Sequence, residues 1–252
     1  MPADPTNMPF PRPGIREATD ELAGGGQFDT TLRLESMLME EFNYAGVTAY
    51  QAYEDRARMF NLYLLLIGVV ASAVGAIYQI GQPDASRVLV ILLLTAGAVL
   101  GFFFFVKLIR LRQAHRDSVL TMNTIKEFYV HKFKAHMPDV EHAFRWRLHT
   151  MPKGERLGSV TFLVCYTTAF LGSLCLAGAT YEAYSAFFSH ALDSVLPLNS
   201  NVQGPVVAIL AALVWLLLHI SYYVRTLSKR HDKAAIDAAE RAVDGPEKLA
   251  LR

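Results

Sequence analysis

The chain of 252 residues is 52% hydrophobic and only 19% charged, with 24 basic and 23 acidic side chains for a formal net charge of +1, and its mean hydropathy is +0.24. That balance excludes a disordered chain, a collagen-like fibre and a small disulfide scaffold, leaving a membrane protein or an unusually apolar globule. Near-neutral charge also gives no overall nucleic-acid signature, so any basic surface must arise from local segregation.

Residues 1–30 are proline-rich, pass through Gly24-Gly25-Gly26 and lack periodic apolar pattern, so they read as a flexible N-terminal tail. Their opening, MPADPTNMPFPRPG, lacks the basic start and short apolar core of a signal peptide. The first apolar stretch is therefore expected to be a true membrane helix. Over 31–59, Leu34, Leu38, Phe42, Ala45, Ala49 and Ala52 recur at three- and four-residue steps and predict a cytoplasmic amphipathic helix, with Glu40, Glu54, Asp55 and Arg58 on its wet face. Residues 60–108 predict a transmembrane hairpin with spans at 60–80 and 88–108. Each span reaches the roughly 20 residues a helix needs to cross about 30 Å of hydrocarbon.

Residues 109–159 form a cytoplasmic helical segment. It continues the second span without Pro or Gly until Pro138, so a helix should project about 45 Å from Lys107. Leu111, Ser118, Met122, Ile125, Tyr129 and Phe133 mark its packing edge, and Val140, Phe144, Leu148 and Met151 predict a short amphipathic piece beyond the proline. Residues 160–224 repeat the hairpin, with spans at 160–181 and 205–224. Residues 225–252 hold a last cytoplasmic helix, to about Val243, and a tail. The fold class is thus all-α: an integral membrane protein with four transmembrane helices and cytoplasmic helical extensions.

Lys and Arg number five before the first span, one (Arg87) in the first hairpin loop, eleven from Lys107 to Arg156, none in the second hairpin loop and seven in the tail. Because cytoplasmic loops hold the excess, this predicts a multi-pass protein of the cell inner membrane with both termini cytoplasmic. Cys165 and Cys175 fall on one span, about 15 Å apart, too far for a bond within the chain.

No phosphate loop, metalloprotease, nucleophile-elbow or paired-aspartate motif occurs, so neither an enzyme nor a cofactor is expected. The histidine spacings do not match a zinc site, so no metal is expected either. On the third span Thr161, Cys165, Thr168, Gly172, Cys175, Ala179 and Glu182 share one helical face, and on the first Asn61, Gly68, Ser72, Gly75 and Gln79 do the same. Such stripes pack helices in lipid. Alternatively the third-span stripe lines a pore in an oligomer, with Glu182 at its outer mouth. Gly97 and Gly101 form a G-x-x-x-G pair, and Phe102 to Phe105 read as lipid-facing or intersubunit filling. His219 is the lone ionisable group within the apolar stretches. It reads as a hydrogen-bonded structural histidine or a charge switch, beside an interfacial belt of Trp215, Tyr222 and Tyr223. Lys107, Arg110, Arg112 and Arg116 need only anionic lipid heads. Lys132, Lys134, Arg145 and Arg147, with His131 and His136, lie deeper and are candidates for an anionic ligand such as a nucleotide.

The run Leu38-Met39-Glu40-Glu41-Phe42-Asn43-Tyr44, then Tyr53, Arg56 and Arg58 leading into Phe60-Asn61-Leu62 and Gly68, resembles the small helical membrane effectors of bacterial anti-phage and nucleotide-signalling systems, of the SLATT type. The resemblance covers about residues 33–136 and is architectural. It implies oligomerisation and a breach of the membrane once a cytoplasmic partner senses infection. The second hairpin departs from that two-span pattern, and no site residues carry over. The sequence therefore predicts a homo-oligomeric channel or membrane-perturbing effector, embedded in the bilayer and gated by a cytoplasmic partner protein or anionic nucleotide. A non-conducting scaffold docking a soluble cytoplasmic protein is the rival. A small transporter would call for discontinuous helices and charged midplane residues, and neither is evident.

Overall fold

The computed structural model describes residues 26–80, 83–133, 144, 158–188 and 200–227, apart from a few side chains near helix ends. Among the described residues the chain is almost entirely helical, with no strand. Helix α1 runs Gly26–Ile80, α2 Pro83–Phe133, α3 Val160–Ala183 and α4 Ser200–Leu227, and α3 passes into a π-helical turn, Tyr184–Phe188. All four helices are long and apolar enough to cross a membrane. The protein is an all-α, multi-pass membrane protein.

Local chemistry sets the helix starts. Pro83 opens α2 at the position where its fixed φ suits a helix and its missing N–H costs nothing. Gly158 takes φ +88°, a left-handed turn that a Cβ would oppose. Ser159 is then extended at φ −72° and ψ 151°, and its hydroxyl accepts the Phe162 N–H at 3.2 Å, which caps α3. No breaker stops α2 after its apolar half, so it extends about 75 Å, over twice the roughly 30 Å of hydrocarbon.

The chain divides into two units, Met1–Met39 and Glu40–Arg252. In the first, helix begins at Gly26, ahead of the expected start at residue 31, and Met37 and Met39 are exposed. In the second, α1 and α2 are antiparallel neighbours. Lys126 lies over the Phe42 ring, His115 Nδ1 is 3.0 Å from the Ala49 carbonyl oxygen, and Tyr63 meets Phe104 with centroids 5.4 Å apart. Both helices therefore extend beyond the membrane on one side, here the extended side; the other is the turn side. Ala45, Ala49 and Ala52 are buried, while Glu40, Glu54, Asp55 and Arg58 are exposed. On α2, Ser118 and Ile125 of the expected edge are buried, Leu111, Met122 and Tyr129 are half-buried, and Phe133 is exposed.

Helix α3 lies closest to α2 and next to α4. Lipid tails are as apolar as leucine, so packing and hydrogen bonds, not water exclusion, hold such helices together. Small residues make the approach possible: a Cβ on Gly101 would lie 3.4 Å from the Gly172 Cα, and one on Gly97 3.4 Å from the Cys175 Sγ. Toward the extended side, Phe105, Leu108 and Ile109 of α2 pack with Cys165 and Ala169 of α3 and Tyr223 and Leu227 of α4. This corrects the outward reading of Phe102 to Phe105. Consecutive residues step 100° around a helix, so Phe105 is buried, Phe102 and Phe104 are half-buried and only Phe103 is exposed. Of the piece expected after Pro138, only Phe144 is described, half-buried and outside any helix. The expected last helix lies outside the described residues beyond Leu227.

Candidate functional site

The third-span stripe packs inside the chain. Cys165, Thr168, Gly172, Cys175 and Ala179 are buried. The Tyr63 hydroxyl of α1 enters the niche between Gly101 and Gly172 and donates to the Thr168 carbonyl oxygen at 3.2 Å. At the ends of the stripe, Thr161 Oγ1 accepts from Arg56 Nη1 at 2.7 Å, and Glu182 Oε1 accepts from the Tyr78 hydroxyl at 2.5 Å. These residues join α3 to α1 and α2 of the same chain. The cysteines are separate free thiols.

The first-span stripe does the opposite. Asn61, Gly68, Ser72, Gly75 and Gln79 are all exposed. Tyr63 and Val70, which are buried, lie about half a helical turn away from them at 100° per residue. Among the described residues, and apart from the backbone of α1 itself and the adjoining residues, nothing stands within 4 Å of where a Cβ on Gly68 or Gly75 would be. The outward faces of α2 and α4 differ, carrying Leu89, Leu92, Val99, Phe103, Ile209, Leu213 and Leu217. Within the spans, α1 leaves a five-residue stripe of small and polar side chains open, while Thr95 of α2 and Ser221 of α4 are single exposed aliphatic hydroxyls.

A polar junction joins all four helices at the extended-side end of the spans. From α2, Arg112 Nη1 donates to the Ser159 Oγ at the head of α3 (2.9 Å) and to the Tyr223 hydroxyl of α4 (2.7 Å), and the guanidinium lies 5.7 Å from the Tyr223 ring. From α1, Arg56 reaches Thr161 on the same turn of α3 and rests over the Tyr53 ring at 5.1 Å. Burial, and after it the Arg112 charge, pull the Arg56 guanidinium below its ordinary value. From the sequence, Arg112 is explained by lipid heads alone, and Arg56 enters only as a topological charge and as part of the run that carries the family resemblance. The missed signal is positional: Arg56 precedes the first span by four residues and Arg112 follows the second by four, so an antiparallel hairpin sets them at one depth.

His219 is buried and its Nδ1 lies 2.8 Å from the Trp215 carbonyl oxygen, edge-on to Phe105. A carbonyl only accepts, so in this arrangement Nδ1 carries the hydrogen. Among the described residues, His219 Nε2 and Trp215 Nε1 have no hydrogen-bond partner. Tyr223, expected in an interfacial belt, is instead buried because Arg112 draws its hydroxyl into the junction, while Tyr222 stays exposed. Of the anionic-ligand candidates, His131 is exposed and Lys132 lies over the Phe133 ring; Lys134, His136, Arg145 and Arg147 lie outside the described residues. Among the described residues no three metal-ligating side chains converge.

No relative emerges from comparison. No family model matches the chain, and neither does any curated protein or solved structure. Functional argument therefore rests on the geometry.

Proposed function

We propose that the protein is a homo-oligomeric membrane channel or membrane-perturbing effector of the inner membrane, gated by a cytoplasmic signal, with its extended side and both termini in the cytoplasm. The α1 stripe carries this reading. Amides and hydroxyls facing hydrocarbon are unfavourable, and the exposure of Asn61, Ser72 and Gln79 along one stripe of α1 is relieved when copies associate through that face or enclose water with it. Glu182, drawn to the turn-side end of α1 by Tyr78, then stands at the outer mouth. The paired extensions of α1 and α2 receive the signal. The resemblance to anti-phage effectors gives the biological setting.

The test combines crosslinking with ion flux in reconstituted vesicles. Gly68→Leu with Gly75→Leu should abolish both oligomers and flux while leaving the melting temperature of the chain unchanged, because neither glycine has a neighbour within 4 Å. Vesicles that stay impermeant under every trigger, or oligomers indifferent to the double substitution, would refute it. One observation favours the scaffold instead: Tyr44, Val47, Tyr50 and Tyr53 are exposed on the α1 extension, a surface suited to a soluble partner. A scaffold retains a stoichiometric partner from solubilised membranes, whereas a channel recovers mainly itself.

A further inference from the structure

The open stripe of α1 does not end with the membrane. Counted back from Asn61 in the same alternation of three- and four-residue steps that carries it to Gln79, it passes through Arg58, Glu54, Gln51 and Val47, and Leu65 fills the interval before Gly68. Every one of these positions is exposed. The buried residues Ala45, Ala49, Ala52, Tyr63 and Val70 lie on the other side of the helix. Alternating steps of three and four average about 3.5 residues, the period of a helix that winds against a parallel neighbour in a left-handed supercoil. Charge along the stripe suits self-pairing. Glu54 and Arg58 stand one turn apart, and their contact within the chain is a long 3.7 Å. In a parallel pair each side chain packs among those of the facing helix, including the one a step further on. Glu54 of one copy then meets Arg58 of the other, twice by symmetry. Exposed pairs of this kind set partner and register more than stability.

Extent decides the occupant. From Val47 to Gln79 is about 48 Å along a helix axis, against roughly 30 Å of hydrocarbon. Lipid covers only the inner part of such a face, and a soluble protein only the outer part. An occupant continuous over both is a membrane helix with an equally long extension on the same side, and α1 of a second copy is such a helix. Copies inserted in one orientation present α1 in parallel, so identical residues stand at one depth. We infer that α1 pairs with α1 of a second copy in a parallel, in-register seam from Val47 to Gln79, with Glu54 and Arg58 paired across it. Gly68, Ser72 and Gly75 let the backbones approach within the hydrocarbon. The inference rests on the homo-oligomeric reading above and adds to it the orientation, the register and the course of the contact into the aqueous extension.

Single cysteines in the full chain, oxidised in the membranes of the expressing cells, test the seam. Val47→Cys, Gln51→Cys, Asn61→Cys and Gln79→Cys should each give a same-residue disulfide dimer. Only parallel, in-register helices bring identical residues at both ends within the roughly 4.4–6.8 Å Cα separation of a disulfide. Asp55→Cys and Leu62→Cys, equally exposed but about 100° round the helix from the seam, should give none. The native Cys165 and Cys175 are buried and should stay out of the dimer. A second arm co-expresses two differently tagged copies, both with Val47→Cys, one with Glu54→Arg and the other with Arg58→Glu. Mixed dimers should exceed random pairing by about twofold to fivefold. Dimers at Val47 without dimers at Gln79, equal yields at Asp55 and Leu62, mixed dimers at the random frequency, or a disulfide to a different protein would each overturn the seam. The wild-type particle extracted into polymer nanodiscs separates the two readings. Several copies with the wrong cysteine pattern leave the homo-oligomer standing and overturn the seam, whereas a single copy overturns both.

Discussion

Substituting Gly101 by alanine probes the closest contact in the membrane core. The added Cβ would lie 2.8 Å from the Tyr63 hydroxyl and 3.4 Å from the Gly172 Cα. To reach ordinary contact the hydroxyl must withdraw by about 0.6 Å, yet it is tied to the Thr168 carbonyl oxygen by a bond already 3.2 Å long. Losing that bond costs about 1 kcal/mol, and overpacking adds roughly 1–2 kcal/mol. The total of about 2–3 kcal/mol corresponds to a melting temperature roughly 5–10 °C lower for a chain of this size. The decisive comparison is a double-mutant cycle with Tyr63→Phe, read by thermal unfolding in detergent. Without the hydroxyl the nearest ring atom stands at an ordinary 3.5 Å, so the alanine should cost less than about 1 kcal/mol there. A Gly101→Ala protein melting like wild type would refute the reasoning, as would an alanine equally costly in both backgrounds.

Other outcomes follow from the same packing. Gly178→Ala places a Cβ 2.9 Å from the Leu94 Cδ1, the end of a side chain that can rotate, so its cost should stay near 1 kcal/mol, below that of Gly101→Ala; comparison of the two melting curves checks the order. Tyr223→Phe removes an acceptor of Arg112 and should lower stability by about 1.5–3 kcal/mol, and a neutral result would show that the Arg112–Tyr223 bond at 2.7 Å does not hold α4. Glu54→Gln breaks only the exposed 3.7 Å pair with Arg58; the melting temperature should move by no more than about 1–2 °C. Cys165 and Cys175 are buried, so the folded protein should resist a thiol reagent that labels both after denaturation. Ser72→Cys should react with a membrane-impermeant reagent if α1 encloses water.

Why the spans were legible and the junction was not is a matter of what one dimension records. Span length, loop charge and helix continuity are local properties, and each follows from the identity of consecutive residues: the absence of Pro and Gly after Gly101 fixes the course of α2 to Phe133, as Ser159 fixes the start of α3. The two small-residue stripes have the same period, so periodicity alone could not show that one closes against its own chain and the other stays open. The difference arises from three-dimensional partners, since Gly97, Gly101 and the Tyr63 hydroxyl meet the α3 stripe while Gly68 and Gly75 meet nothing. Arg56 and Arg112 stand between these extremes. Each looked like a common flanking cation, and only the antiparallel register of the hairpin, which sets the two at one depth, turns separate topological charges into one cluster over the first turn of α3. Sequence distance hid that pairing, and the mirrored spacing from the span ends is the feature from which it could have been read.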